Sequence, residues 1–318
     1  MSLQSARQLV LGFHPDLPVV VEESAAQLSS DGGLLVIREF DQRLEFTARF
    51  AAALQDTRDP AFTRHGVLSL VRQRMYGLLA DYEDQNDHDE LRHDPVFKLI
   101  CDRLPDGADL ASQPTLSRFE NAVTIADLKR LREFLLTEFL DSFDAPPVRI
   151  TLDIDAFDDE THGQQQLTFF HGYDEYAARG ESENRNKELK DGLNADRLSD
   201  HRFMANFFRL FLHAAALNLL VRLRRATTKS PTPAALGIFD PVPAAALNER
   251  SKKRFFNRRR RHDPLGEGQP CTWRSRLIKV AVAVIVSSRR VLVKLSSSWP
   301  HLGELFRLGD RVALSGSS

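Results

Sequence analysis

The stretch Tyr176-Ala-Ala-Arg179-Gly-Glu-Ser-Glu183-Asn-Arg-Asn-Lys-Glu-Leu-Lys190 decides how this chain is read. Taken as a helix of 3.6 residues per turn, it projects Tyr176, Arg179, Glu183 and Lys190 from one face. A phenol, a guanidinium, a carboxylate and an ammonium on one stripe do not make an apolar core face. Spacing alone leaves two readings open: a solvated face with an Arg179–Glu183 ion pair, or a functional surface.

Upstream the pattern changes. VRITLDIDAF (148–157) alternates and is rich in β-branched residues, as a strand does. Such a strand puts Asp153 and Asp155 on one face and Leu152 and Ile154 on the other. Two carboxylates on one side of a buried strand require cations or a metal. The alternative is an Asp that caps the following turn. LTFFHGY (167–173) reads as a second strand after a turn at Gly163 and Gln164. Downstream, Phe203 to Arg225 reads as a long helix with apolar positions at Phe203, Phe207, Phe211, Ala214, Leu217 and Val221.

Further out, residues 31–145 show helical spacing, as in Leu34, Ile37, Phe40 and Leu44, or Leu70, Val71, Met75 and Leu78. Pro60, Pro95 and Leu104–Gly107 punctuate them. Thr115 or Ser117 is a plausible cap for TLSRF (115–119). Residues 1–30 form a lead-in with a short strand at Val19–Val21. Residues 226–270, with Pro231, Pro233, Pro241 and Pro243, read as a linker. The tail predicts a helix over Arg274–Ile285, a strand through Val291, Val293 and Leu295, and a short helix after Pro300. The expected class is mixed α/β, mostly helical, divided at 1–30, 31–147, 148–225, 226–270 and 271–318.

A net charge of −1 over 318 residues hides local contrast. DYEDQNDHDELRHD (81–94) is mostly acidic. It lacks the glycine and spacing of a calcium loop, and His88 and His93 miss the i,i+4 zinc spacing by one. A hydrogen-bonded surface or interdomain role suits it better. KKRFFNRRRR (252–261) is either a solvated linker or a phosphate-binding run with Phe255 and Phe256 available for stacking. Two cysteines without a CxxC pair give zinc-ribbon and redox readings no support. The most apolar stretch, taken as Ile278–Val286, is too short to span a membrane, and no apolar leader is present, so a soluble cytoplasmic protein is expected.

The spacing Y-x2-R-x3-E-x6-K from Tyr176 to Lys190 resembles the signature around the third acidic residue of many insertion-sequence DDE transposases. YEDQNDHDELRHDP (82–95), ASQPTLSRFEN (111–121), TLDIDAFDDETHGQQ (151–165), FFHGYDEY (169–176), ENRNKELK (183–190) and RLIKVAVAVIVSSRRVLVKLSSSWP (276–300) are similar to the group 1 DDE-domain transposases. The resemblance implies an RNase-H-like catalytic domain in which two Asp and a Glu hold two Mg²⁺ or Mn²⁺ ions for phosphoryl transfer on DNA. It assigns the first Asp to Asp155, with Asp153 as the alternative, and the Glu to Glu183. It gives Tyr176, Arg179 and Lys190 contacts to the DNA backbone. It makes the helical N-terminal part an end-recognition domain, where Arg118 and Ser117 either meet DNA or belong to an ordinary packing helix. It further implies a homodimer bound to terminal inverted repeats, in the cytoplasm near the nucleoid.

The chain departs from that pattern in one place. Only 27 residues separate Asp155 from Glu183. The family's second Asp and most of its sheet belong in that interval, and two strands cannot complete such a sheet. An internal deletion ending near Tyr176, and a catalytically impaired or purely DNA-binding chain, are therefore expected.

Overall fold

The computed structural model describes residues 8–11, 19–22, 26–143, 181–198, 200–227 and 268–314. The architecture is mixed and mostly helical. β1 (Gln8–Leu11) and β2 (Val19–Glu22) form an antiparallel ribbon, and β2 contains the expected strand at Val19–Val21. After β3 (Gln27–Ser29) come α1 (Leu34–Leu44), α2 (Phe46–Ala52), α3 (Val67–Leu79), α4 (His88–Leu91), α5 (Pro95–Ile100), α6 (Gln113–Asn121) and α7 (Ile125–Leu140). The two strands expected at 148–157 and 167–173 lie outside the described residues.

Helix starts have local causes. Pro95 opens α5 while the Asp94 carboxylate accepts from the Val96 and Phe97 amides. Thr124 and Asp127 form a reciprocal capping box on α7. α6 begins earlier than Thr115: its N-cap is Ser112, and a proline occupies the first turn, where an amide hydrogen is not needed.

α8 (Glu181–Leu193) and α9 (Phe203–Thr227) follow. α9 is the hub, packing against α1, α3, α6, α7 and α8. Its buried side is Ala205, Phe208, Leu212, Ala215, Ala216, Leu219 and Leu223. That reverses the expected stripe, because Phe203 and Phe207 are 41% and 40% exposed. With Phe211 they run along the outer side, ring centroids 5.8 and 5.3 Å apart. The helix is apolar nearly all round, so periodicity does not choose a face. The alanines do, because they let neighbouring helices approach closely.

Phe203–Ala226, rather than Ile278–Val286, is the described stretch long and apolar enough to cross a membrane by length and composition. Its most apolar window is 56% buried in the fold, and Arg209, His213 and Arg224 are buried along it, as befits a core helix.

The tail consists of α10 (Pro270–Trp273), a π turn at Arg274–Ile278, β4 (Val282–Val286), β5 (Val291–Leu295) and α11 (Leu302–Leu314). The expected helix over Arg274–Ile285 therefore stops at Ile278, and its second half is strand. Val280, Val282 and Val284 alternate inward, and β-branched side chains fit a pleated surface better than a helix. β4 pairs antiparallel with both β3 and β5, with Leu28 opposite Ala283 and Val284 opposite Val293. Lead-in and tail thus share one sheet of order β3-β4-β5.

The junction is tight. Gly32 N and Gly33 N donate to Val280 O and Ile278 O at 3.0 and 3.2 Å. A Cβ on Gly33 would lie 1.7 Å from Leu277 O. Lys279 Nζ sits 2.9 Å from the buried Asp31 carboxylate and 3.7 Å from the centre of the Tyr82 ring. α11 packs on α1 and α9, and one hydrophobic core joins the helical part to the tail.

Candidate nucleic-acid site

Glu183 and Lys190 are seven residues apart on α8, so they share one side of that helix. Glu188 lies on the opposite side, buried, with both carboxylate oxygens 3.0 Å from Arg224 Nη1 on α9. Gly192 continues the packed side, where a Cβ would meet the Pro270 ring at 2.8 Å. The helix ends at Asn194, whose left-handed φ of 57° is one that asparagine tolerates. Asn194 Nδ2 then donates to Asp81 Oδ1 at 3.3 Å, and Arg197 pairs with Glu83 at 2.6 Å. Lys190 is half-buried.

The acidic segment 81–94 is the hydrogen-bonded junction that receives these contacts. The Asp84 carboxylate caps the 3-10 turn at Gln85–Asp87, and Asp89 Oδ1 accepts from the Gln113 amide at 2.9 Å. His88 is fully buried, with Nε2 accepting from Arg74 Nη1 at 3.1 Å. Burial, helped by the Arg74 charge, pushes its pKa well below the ordinary histidine value and keeps the ring neutral.

Behind this segment lies a buried charge cluster. Glu120 Oε1 is 2.7 Å from Arg74 Nε and Oε2 is 2.5 Å from Arg209 Nε. Burial alone would push the Glu120 carboxyl up, but the two guanidiniums outweigh it and hold the pKa below its usual value. Arg209 also reaches Asp200 at 3.3 Å. His213 Nδ1 donates to Arg209 O at 2.7 Å, its Nε2 has no hydrogen-bond partner among the described residues, and burial lowers its pKa to about 4. Arg74, Arg209, His213, Arg197 and Ser117 contribute to the lining of a polar cleft of ≈ 610 Å³ between the acidic segment, α6 and the α8–α9 connection.

Arg118 is exposed on α6, its Nη2 3.4 Å from Thr115 Oγ1, while Leu116, Phe119 and Glu120 form the packed face. Helix α6 packs through that face and leaves Arg118 outside. Of the other site residues, Asp153, Asp155, Tyr176 and Arg179 lie outside the described residues, and Glu183 is placed by its helix position alone. Among the described residues no three His, Cys, Asp or Glu side chains are grouped to hold a metal, so no donor set for Mg²⁺ is defined by them. Sequence reasoning missed the Glu120 cluster. A signal existed, since Glu120 falls at i+4 from Leu116 and i+1 from Phe119, on the apolar side of its helix.

A helical core that braces a helix of the form ENRNKELK against an acidic junction is the setting in which family membership becomes informative. The family model for the transposase DDE domain, group 1, matches residues 13–176 and 173–236, and the chain belongs to that family. No curated protein and no solved structure matches it. The family's role is in DNA transposition, its members typically use a divalent metal, and their partner is DNA.

Proposed function

We propose that this chain is an end-binding transposase homologue whose own catalytic centre is incomplete. The observation that carries this is the split family match: both matched segments include residues 173–176, and only 27 residues separate Asp155 from Glu183. An in-frame internal deletion through a short shared sequence leaves that pattern. The catalytic domain, 148–225, is then a truncated RNase-H-like unit without its second Asp. It lies between a DNA-recognition part at 31–147 and a basic linker at 226–270 that leads to the tail, 271–318.

In this reading Asp155, with Asp153 as the alternative, and Glu183 are the surviving ligands for Mg²⁺ or Mn²⁺, which would polarise phosphate oxygens. Tyr176, Arg179, Lys190 and Arg118 contact the backbone of the terminal inverted repeats, and the chain acts as a homodimer. The bracing of α8 by Glu188–Arg224 supports it, because Glu183 sits on a helix fixed to the core. A chain that binds ends without joining them represses transposition by an intact relative.

The test uses the DNA that brackets the gene as both binding probe and joining substrate, with Mg²⁺. Retarded complexes with that DNA, in preference to random duplex, and no strand transfer are expected. Robust joining that is lost in Glu183→Gln would refute the impairment. Equal affinity for random duplex would refute end recognition.

A further inference from the structure

We propose that the β4–β5 hairpin is a DNA-binding ribbon whose tip, Arg289 and Arg290, contacts duplex phosphates. The proposal rests on the reading that the chain binds DNA, and it concerns a segment beyond the residues matched by the family. From Gly268 to Gly303 the sequence holds six Lys and Arg and no Asp or Glu, although the whole chain carries a net charge of −1. The structure sorts four of these cations into two groups. Near the base, Arg274 donates to Leu78 O and Leu79 O and pairs with Asp81, and Lys279 pairs with Asp31. Those charges serve the fold. At the tip, Arg289 and Arg290 are exposed, and neither side chain forms an ion pair or hydrogen bond among the described residues.

The tip is closed by local hydrogen bonds. Ser287 N donates to Arg290 O at 3.0 Å, Ser287 Oγ donates to the same carbonyl at 2.8 Å, and Arg290 N donates to Ser287 Oγ at 3.2 Å. Below it β4 is fixed by β3 on one edge and by buried Val282 and Val284 underneath. A turn ordered in advance spares the backbone part of the ordering cost on binding. Ile285 and Leu292, paired across the strands and 36% and 37% exposed, lie on the same face as Lys294, which is also exposed. A two-stranded ribbon of this kind fits the major groove, with arginines on phosphates and an apolar pair toward the groove wall.

The experiment uses the full chain and a short random-sequence duplex, with affinity measured across a salt series. The double substitution R289A/R290A is compared with wild type, with R289K/R290K, and with R307A, which removes an exposed arginine on α11, outside both the hairpin and residues 31–147. Thermal unfolding confirms that all four are equally folded. Removing two phosphate contacts should flatten the slope of log affinity against log salt by about 1.8, at about 0.9 per contact, and weaken binding about tenfold or more at low salt. The lysine pair should keep most of the slope, and R307A should leave it unchanged. An unchanged slope in R289A/R290A beside normal wild-type binding overturns the hairpin assignment and leaves DNA binding intact. Failure of wild type to bind any duplex, its own bracketing DNA included, overturns both.

Discussion

Glu120 shows how one residue organises a region. Its carboxylate is out of water and bonded to two guanidiniums that are themselves buried. Removing one member of such a cluster strands the others, so Glu120→Gln should cost about 3–5 kcal/mol in urea unfolding. A loss under about 1 kcal/mol would mean that the cluster is solvated. The histidines set a pH dependence. In the unfolded chain His213 takes a proton near 6.5, in the fold only near 4. Between those values the unfolded state binds more protons, so stability is full above pH 6.5 and falls as pH drops toward 4, by up to about 1.4 kcal/mol per unit for this residue. His88 adds to the same fall, since its pKa is also depressed. Urea unfolding from pH 7 to 4 should show the decline, and His213→Gln should make it shallower. An identical pH profile in that variant would refute the assignment. Glu120 adds its own loss only lower, as pH falls through the carboxylate range to its depressed pKa.

At the scale of elements, α8 is braced from one side. The buried Glu188–Arg224 pair, the Gly192–Pro270 approach and the fully buried Leu193 tie it to the core. Glu188→Ala should therefore speed amide exchange across Glu181–Leu193 while leaving α3 protected, and destabilise by about 3 kcal/mol. Uniformly faster exchange through α3 and α8 would show that α8 is not a separable unit. The same scale shows where sequence reading works. Helices α1 and α3 were legible because hydrophobic periodicity is local, whereas the cap expected at Thr115 or Ser117 lies at Ser112. The span Arg274–Ile285 was not legible, because a π turn and a strand follow each other in one apolar run. Periodicity does not separate buried helix from buried strand over so few residues. The partner that decides, β3, lies some 250 positions earlier in the chain.

For the whole molecule, the two ends of the chain close the structure. β3 supplies one edge of the sheet, the tail supplies the other two strands, and α11 covers α1 and α9. Deleting residues 271–318 removes Trp273, Leu277, Val282, Val284, Leu305 and Leu308 from the core. The shortened chain should lose its cooperative thermal transition by circular dichroism. A sharp transition at the wild-type temperature would show that the helical part folds without its tail. The candidate site has the same dependence, since Arg274 of the tail pairs with Asp81 at the acidic junction.

By itself the sequence determined the family, the helical character of residues 31–143, and the spacing that puts Glu183 and Lys190 on one side of a helix. Each of these is a property of a short segment, set by residue type and period. Tertiary structure alone decided which side of α9 is buried, that Gln27–Ser29 joins the tail in one sheet, and that Glu120 meets Arg74 and Arg209, 46 and 89 positions away in the chain. Burial and ion pairing depend on which distant surfaces come together, and no local pattern encodes that choice.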